Sequence, residues 1–142
     1  MRSTESLRQL SEIGATISKA VAMISVPNVS AALAWYESIG FTVLNSFAED
    51  GVMNFGMVAF GKGEIMMKPE EEAGNRPSLW FYTDKVDELY KAFQKRRVES
   101  QSDDPWRIQF SEELNDMFYR ARQFGICDPN GYILYFIQSL EQ

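Results

Sequence analysis

The chain contains no histidine in its 142 residues. That absence removes the commonest general base near neutral pH and the commonest metal ligand. It excludes a Ser-His-Asp triad, a Cys-His pair and any His-carboxylate metal site. Cysteine is nearly absent as well. Cys127 stands alone, so no intrachain disulfide can form, and with no imidazole to activate it the thiol reads as inert. No apolar run approaches the roughly 18 residues of a membrane-spanning helix. The first 20 residues carry acidic groups and no apolar core, unlike a secretion signal. We therefore expect a cytoplasmic protein with no membrane partner. Positive charge is also scarce, with 14 Lys and Arg against 20 Asp and Glu. The one basic cluster, Lys95-Arg96-Arg97, falls at the end of a predicted helix, where the helix dipole alone favours cations. Nucleic acid is not an expected partner.

What is present reads as one folded domain behind a helical arm. Leu7, Leu10, Ile13 and Ile17 fall on one face of a predicted helix over residues 1–19. A single domain over 20–142 is expected to follow, with module one at 20–70 and module two at 77–140. AVAMISV, from Ala20, reads as a buried strand ended by Pro27, with Asn28 placed to cap a helix. In that helix Val29, Ala32, Leu33 and Tyr36 repeat at i, i+3, i+4, i+7, and Gly40 stops it. FTVLNSF, VMNFGMVAF and EIMMK follow as strands, separated by the turn signals Asp50-Gly51 and Gly61-Lys62-Gly63. The acidic run Glu70-Glu71-Glu72 opens a polar linker. Consecutive carboxylates point in different directions, so a solvated loop is expected there rather than an ion site.

The second half repeats the first. SLWFYT reads as a strand. DKVDELYKAFQKR reads as a helix with Asp84 as its cap, Asp87 in the manner of a capping box, and Val86, Leu89, Tyr90 and Phe93 on its apolar face. A shift of 57 residues lays Val21–Val26 on Ser78–Thr83 and one helical stripe on the other. A shift of 68 lays Gly63–Met67 on Gly131–Tyr135, with an insertion around PWRIQFSEELND. Strands are expected near 97–101, 117–126 and 132–138. The predicted fold is α+β: two tandem β-α-β-β-β modules forming a curved eight-stranded mixed sheet with a concave cleft, helices outside, plus the N-terminal helix.

Three stretches in order, AWYESIGF (34–41), YTDKVDELYKAF (82–93) and RQFGICDPNGYILYFIQ (122–138), resemble the vicinal oxygen chelate superfamily of glyoxalases, extradiol dioxygenases and bleomycin-resistance proteins. The resemblance covers about residues 20–140. It implies that metal-dependent members take four ligands from the first and last strand of each module. Carried over, those positions are Val21, Met67, Ser78 and Tyr135, none a usual ligand for a divalent ion. The resemblance therefore points to the metal-free, bleomycin-resistance-like members, which are homodimers that sequester a ligand in a cleft without transforming it.

The resemblance implies that Ser78 faces the cleft, and strand alternation then puts Trp80 and Tyr82 there too; on the same footing Met23, Phe55, Met67, Tyr119, Arg122 and Tyr135 complete the expected lining, Arg122 standing at the family's REF arginine. Arg122 suits a ligand contact or a structural ion pair equally. Such a lining fits a small organic molecule, aromatic or with an anionic group. No catalytic residue, metal ligand or cofactor is assigned. Two alternatives stand beside this expectation. One is a lyase-, isomerase- or dioxygenase-like enzyme of the same superfamily, with Tyr135 or Tyr119 as acid and a cation beside it. The other is a structural or regulatory interaction module that uses the N-terminal helix.

Overall fold

The computed structural model describes residues 4–70, 76–104 and 106–140. Its order is α1 (Thr4–Gly14), β1 (Ala22–Val26), α2 (Val29–Ser38), β2 (Thr42–Glu49), β3 (Val52–Phe60), β4 (Gly63–Pro69), β5 (Leu79–Tyr82), α3 (Val86–Glu99), β6 (Gln109–Met117), β7 (Ala121–Cys127) and β8 (Ile133–Ser139). The α+β class, the tandem β-α-β-β-β modules and the N-terminal helix are all present. The strands, however, are hydrogen-bonded as two sheets of four, in the orders β1-β4-β3-β2 and β5-β8-β7-β6, rather than as one sheet of eight. Both sheets pair their first and last strands parallel and the rest antiparallel, so the duplication holds at the level of topology.

Local chemistry explains most element boundaries. Asn28 is the N-cap of α2, and its Oδ1 accepts the Ala31 N–H at 2.8 Å. Val29, Ala32, Leu33, Trp35 and Tyr36 are buried along that helix. Gly40 ends it at φ 108°, a conformation costly for any side chain. Helix α1 stops at Gly14, short of residue 19, and buries none of its residues.

Three expectations in the second module change. The strand near 97–101 is instead the end of α3 and the loop after it, because the helix formers Lys95, Arg96 and Arg97 carry the helix on to Glu99. The missing strand is β6, drawn from the segment that read as insertion; its alternation is masked by polar residues on both faces of an edge strand. Asp84 does not cap α3. The N-cap is Lys85, which makes no side-chain cap bond; Gln138 Oε1 accepts the Val86 N–H, and Asp87 pairs with Arg122.

The core lies between the two helices and the inner faces of both sheets. Phe41, Phe60, Phe81, Phe93, Phe124 and Phe136 form one connected aromatic cluster, with ring centroids 4.8–6.1 Å apart along its links. Because one face of each sheet is covered by a helix, the opposite face is left open. Among the described residues no helix is long and apolar enough to cross a membrane.

Candidate ligand-binding site

The open face of the second sheet is built as a row across four strands. Cross-strand partners run Trp80 to Tyr135, Tyr135 to Gly125 and Gly125 to Glu112. The Trp80 and Tyr135 rings stack at 4.2 Å with 19° between their planes. Trp80 Nε1 donates to Ser78 Oγ at 2.9 Å, which fixes the indole. Gly125 is required where it is: a Cβ there would lie 2.6 Å from Ser111 Oγ and 3.2 Å from the Tyr135 ring. Its bare backbone lets that ring lie down on the sheet.

A bulge between Phe110 and Glu112 brings the Glu112 carboxylate opposite Gly125. Two side-chain amides hold it. Gln123 Nε2 donates to Oε2 at 3.1 Å and Asn115 Nδ2 to Oε1 at 3.2 Å. Gln123, itself 3% exposed, accepts the Tyr119 hydroxyl on its other atom. Among the described residues no cation is ion-paired with Glu112. The result is an aromatic platform beside a positioned, half-buried negative charge.

A cavity of about 840 Å³ opens between the two sheets, along the edge of β5 that faces away from β8. Phe60, Phe81 and Phe136 line it, with Trp80 and Tyr82 on its wall. Of the row from Trp80 to Glu112, it is lined by Trp80 alone.

The other expected residues fall in three groups. Ser78, Trp80, Tyr82 and Tyr135 share the open face of the second sheet, with Tyr82 75% exposed, and Tyr119 joins them through Gln123. Met23 and Phe55 lie on the open face of the first sheet, and Met57 stands there with them. Two residues are displaced. Met67 is fully buried on the helix-covered face, next to Ile24 and Gly56. The residue at its expected place is Met66, whose pairing with Met23 repeats that of Tyr135 with Trp80. The turn before β4 leaves two residues between the paired Phe60 and Gly63, and the turn before β8 five between Cys127 and Ile133, so the ungapped match of Gly63–Met67 to Gly131–Tyr135 is off by one, and a one-residue slip turns a side chain to the other face. Arg122 also points to the helix-covered face. It pairs with Asp87 of α3 at 2.8 Å and with Asp116 at 3.0 Å, so of its two readings the ion pair is the one formed. Gln123 and Glu112 were missed; a polar residue inside the otherwise apolar strand FGI was the available signal for the first, and the second lay in the presumed insertion.

Val21, Met66, Ser78 and Tyr135, the structural counterparts of the superfamily's ligand positions, offer no carboxylate or imidazole, so they do not fit a divalent ion. Among the described residues no three Asp, Glu or Cys side chains stand together to hold one. Cys127, half-buried beside the Asp128 turn, has its thiol pKa pushed up by burial first and by the Asp128 charge second, which disfavours the reactive thiolate.

A family model described as the Glyoxalase/Bleomycin resistance protein/Dioxygenase superfamily matches residues 18–136. The chain belongs to this superfamily. No curated protein matches the sequence. Among solved structures, TioX from Micromonospora sp. ML1 superposes with a TM-score of 0.69 at 19% identity, over 87% of this chain and 100% of that one. A superfamily member from Sphaerobacter thermophilus DSM 20745 gives 0.66 at 20% identity, covering 87% and 98%. The bleomycin-binding protein of bleomycin-producing Streptomyces verticillus, in complex with copper(II)-bleomycin, gives 0.64 at 19% identity, covering 89% and 98%. At these identities the likeness is one of fold. The superfamily frame accounts for the duplicated modules.

Proposed function

We propose that this superfamily member is a metal-free small-molecule-binding protein. It sequesters a flat organic ligand on the open face of the second sheet, and its working form is a homodimer in which a second copy helps close the cleft. The observation that carries this reading is the exposed Trp80–Tyr135 stack beside the amide-held Glu112 carboxylate. Arg122 is committed to Asp87 and Asp116, so the anionic ligand group it suggested gives way to a cationic one, attracted both by Glu112 and by the ring faces. Large apolar side chains left exposed on both open faces, among them Met23, Phe47, Trp80 and Tyr82, suit coverage by a second copy. Bleomycin binding by a structural neighbour supports the class of function, not the ligand. The enzyme alternative gains no support from the site: Tyr135 stacks on Trp80, Tyr119 donates to Gln123 and meets Phe118 edge-on, and among the described residues no cation is hydrogen-bonded to either hydroxyl.

The test is tryptophan-fluorescence titration with two planar probes, the cation proflavine and the anion anthraquinone-2-sulfonate, alongside sedimentation velocity. The cation is expected to saturate. Trp80→Ala should weaken it about tenfold, the worth of roughly 1.4 kcal/mol of stacking and cation–π attraction. Glu112→Gln should weaken the cation and leave the anion unchanged. No saturable binding of either probe by a dimeric, folded protein would sink the proposal. Preference for the anion would reverse its charge assignment.

A further inference from the structure

The open face of the first sheet carries a different chemistry. Met23 of β1 is the cross-strand partner of Met66 of β4, and Met66 is the partner of Met57 of β3. Three thioethers therefore stand abreast on three adjacent strands, all on the side away from α2. Met23 is 43% exposed, and Met57 and Met66 are half-buried. Neighbouring strands are about 4.8 Å apart, so the outer two methionines start roughly 10 Å from each other. Each has three rotatable side-chain bonds, and both can lean toward the middle sulfur. The flanking rows hold Ser25, Lys68 and Phe55 on one side, and Glu64 and Ala59 on the other. The only carboxylate among these, Glu64, is held by Lys19 at 2.9 Å. Beyond Met57 the row ends at Asn45 of β2, whose Oδ1 accepts the Ser46 N–H at 2.9 Å, so among the described residues no free carboxylate stands beside the three soft donors.

We propose that Met23, Met57 and Met66 form a three-thioether site for a soft monovalent ion, Cu(I) or Ag(I). Thioethers select such ions over hard divalent ones. Each sulfur donates a lone pair to the ion; no bond breaks, no proton leaves and no electron is transferred. A thioether has no proton to lose, so affinity stays flat across the pH range in which thiolate and imidazole sites weaken in acid. The site lies on the first sheet and does not rest on the ligand proposed for the second. It shares Met66 with the superfamily's ligand positions, but its other two donors, Met23 and Met57, lie in the same module and outside that set.

The probe is silver nitrate in chloride-free buffer, added to the full chain carrying Cys127→Ser, which removes the one thiol. The readout is the methyl NMR signals of the seven methionines. One equivalent should shift the Met23, Met57 and Met66 methyls together and leave Met67 in place, with equal affinity at about pH 5.5 and pH 7.5. Met66→Leu, close in volume, should weaken binding at least tenfold. Met23→Leu, at a more exposed position, should do the same without risk to the core. The absence of saturable Ag(I) binding, shifts centred on other methionines, or affinity unchanged in both variants would overturn the site. In any of those cases the row is an apolar wall only.

Discussion

Tyr36 ties the two modules together through a single hydroxyl. It is fully buried, and its OH donates to Asp128 Oδ2 at 2.7 Å. Asp128 Oδ1 accepts the Asn130 and Tyr132 N–H groups at 2.8 and 2.9 Å, so the DPNG turn is organised around this carboxylate. Removing the hydroxyl with Tyr36→Phe leaves a buried carboxylate oxygen short of a donor, which should cost about 1–3 kcal/mol by urea denaturation. The same group sets an alkaline limit. Burial, and then the Asp128 charge, hold the Tyr36 pKa well above its ordinary value. A raised pKa means the folded state keeps its proton more tightly. That stability is fully present below about pH 10, where an unfolded tyrosine titrates, and is lost as pH rises above it. Wild-type stability should therefore fall between about pH 9.5 and 11 more steeply than that of Tyr36→Phe. Equal slopes in parallel urea melts would show that Tyr36 does not set this limit.

At the scale of elements, the two long helices begin by different means. Asn28 caps α2 with its own side chain, whereas Asp84 stands before α3 and bonds none of its N–H groups. Asn28→Ala should cost about 1 kcal/mol. Asp84→Ala should change stability by less than about 0.5 kcal/mol. Thermal or urea melts of the two variants check the contrast, and an Asp84→Ala loss as large as that of Asn28→Ala would mean that α3 is capped in solution. The contrast also marks what the sequence could tell. α2 was legible because cap, apolar stripe and stop glycine agree; β3 and its Asp50-Gly51 turn were legible for the same reason. β6 was not, since QFSEELNDM lies at a sheet edge with polar residues toward both sides, and its bulges break the period of two. Trp80 and Tyr135 followed from alternation on strands correctly placed. Met67 failed on a slip of one residue. Arg122 stayed open between ligand contact and ion pair because sequence alone could not place Asp87 and Asp116 beside it.

The whole molecule combines two sheets that share no hydrogen-bonded ladder with one core that both modules build. Phe60 of β3 stacks on Phe93 of α3 and meets Phe136 of β8 edge-on, while Phe41 meets Phe81 across the same boundary. Polar links follow the rings. Tyr132 OH donates to the Ser25 carbonyl at 2.8 Å, Arg76 donates to both Tyr132 OH and Ser25 O at 2.9 Å, and Trp35 Nε1 donates to the Trp106 carbonyl at 2.9 Å. Neither module can therefore lose its structure without exposing apolar surface of the other, and two duplicated halves should behave as one cooperative unit. Far-UV circular dichroism and tryptophan fluorescence should give coincident urea transitions. Trp35 reports on the first module and Trp80 on the second, so with the third tryptophan removed by Trp106→Phe the Trp35→Phe and Trp80→Phe backgrounds separate the two signals. Phe136→Ala should lower stability by about 3–5 kcal/mol and move both signals together. A variant in which the Trp80 signal melts early while the Trp35 signal holds would show that the shared aromatic core does not couple the modules, and that each sheet stands on its own helix.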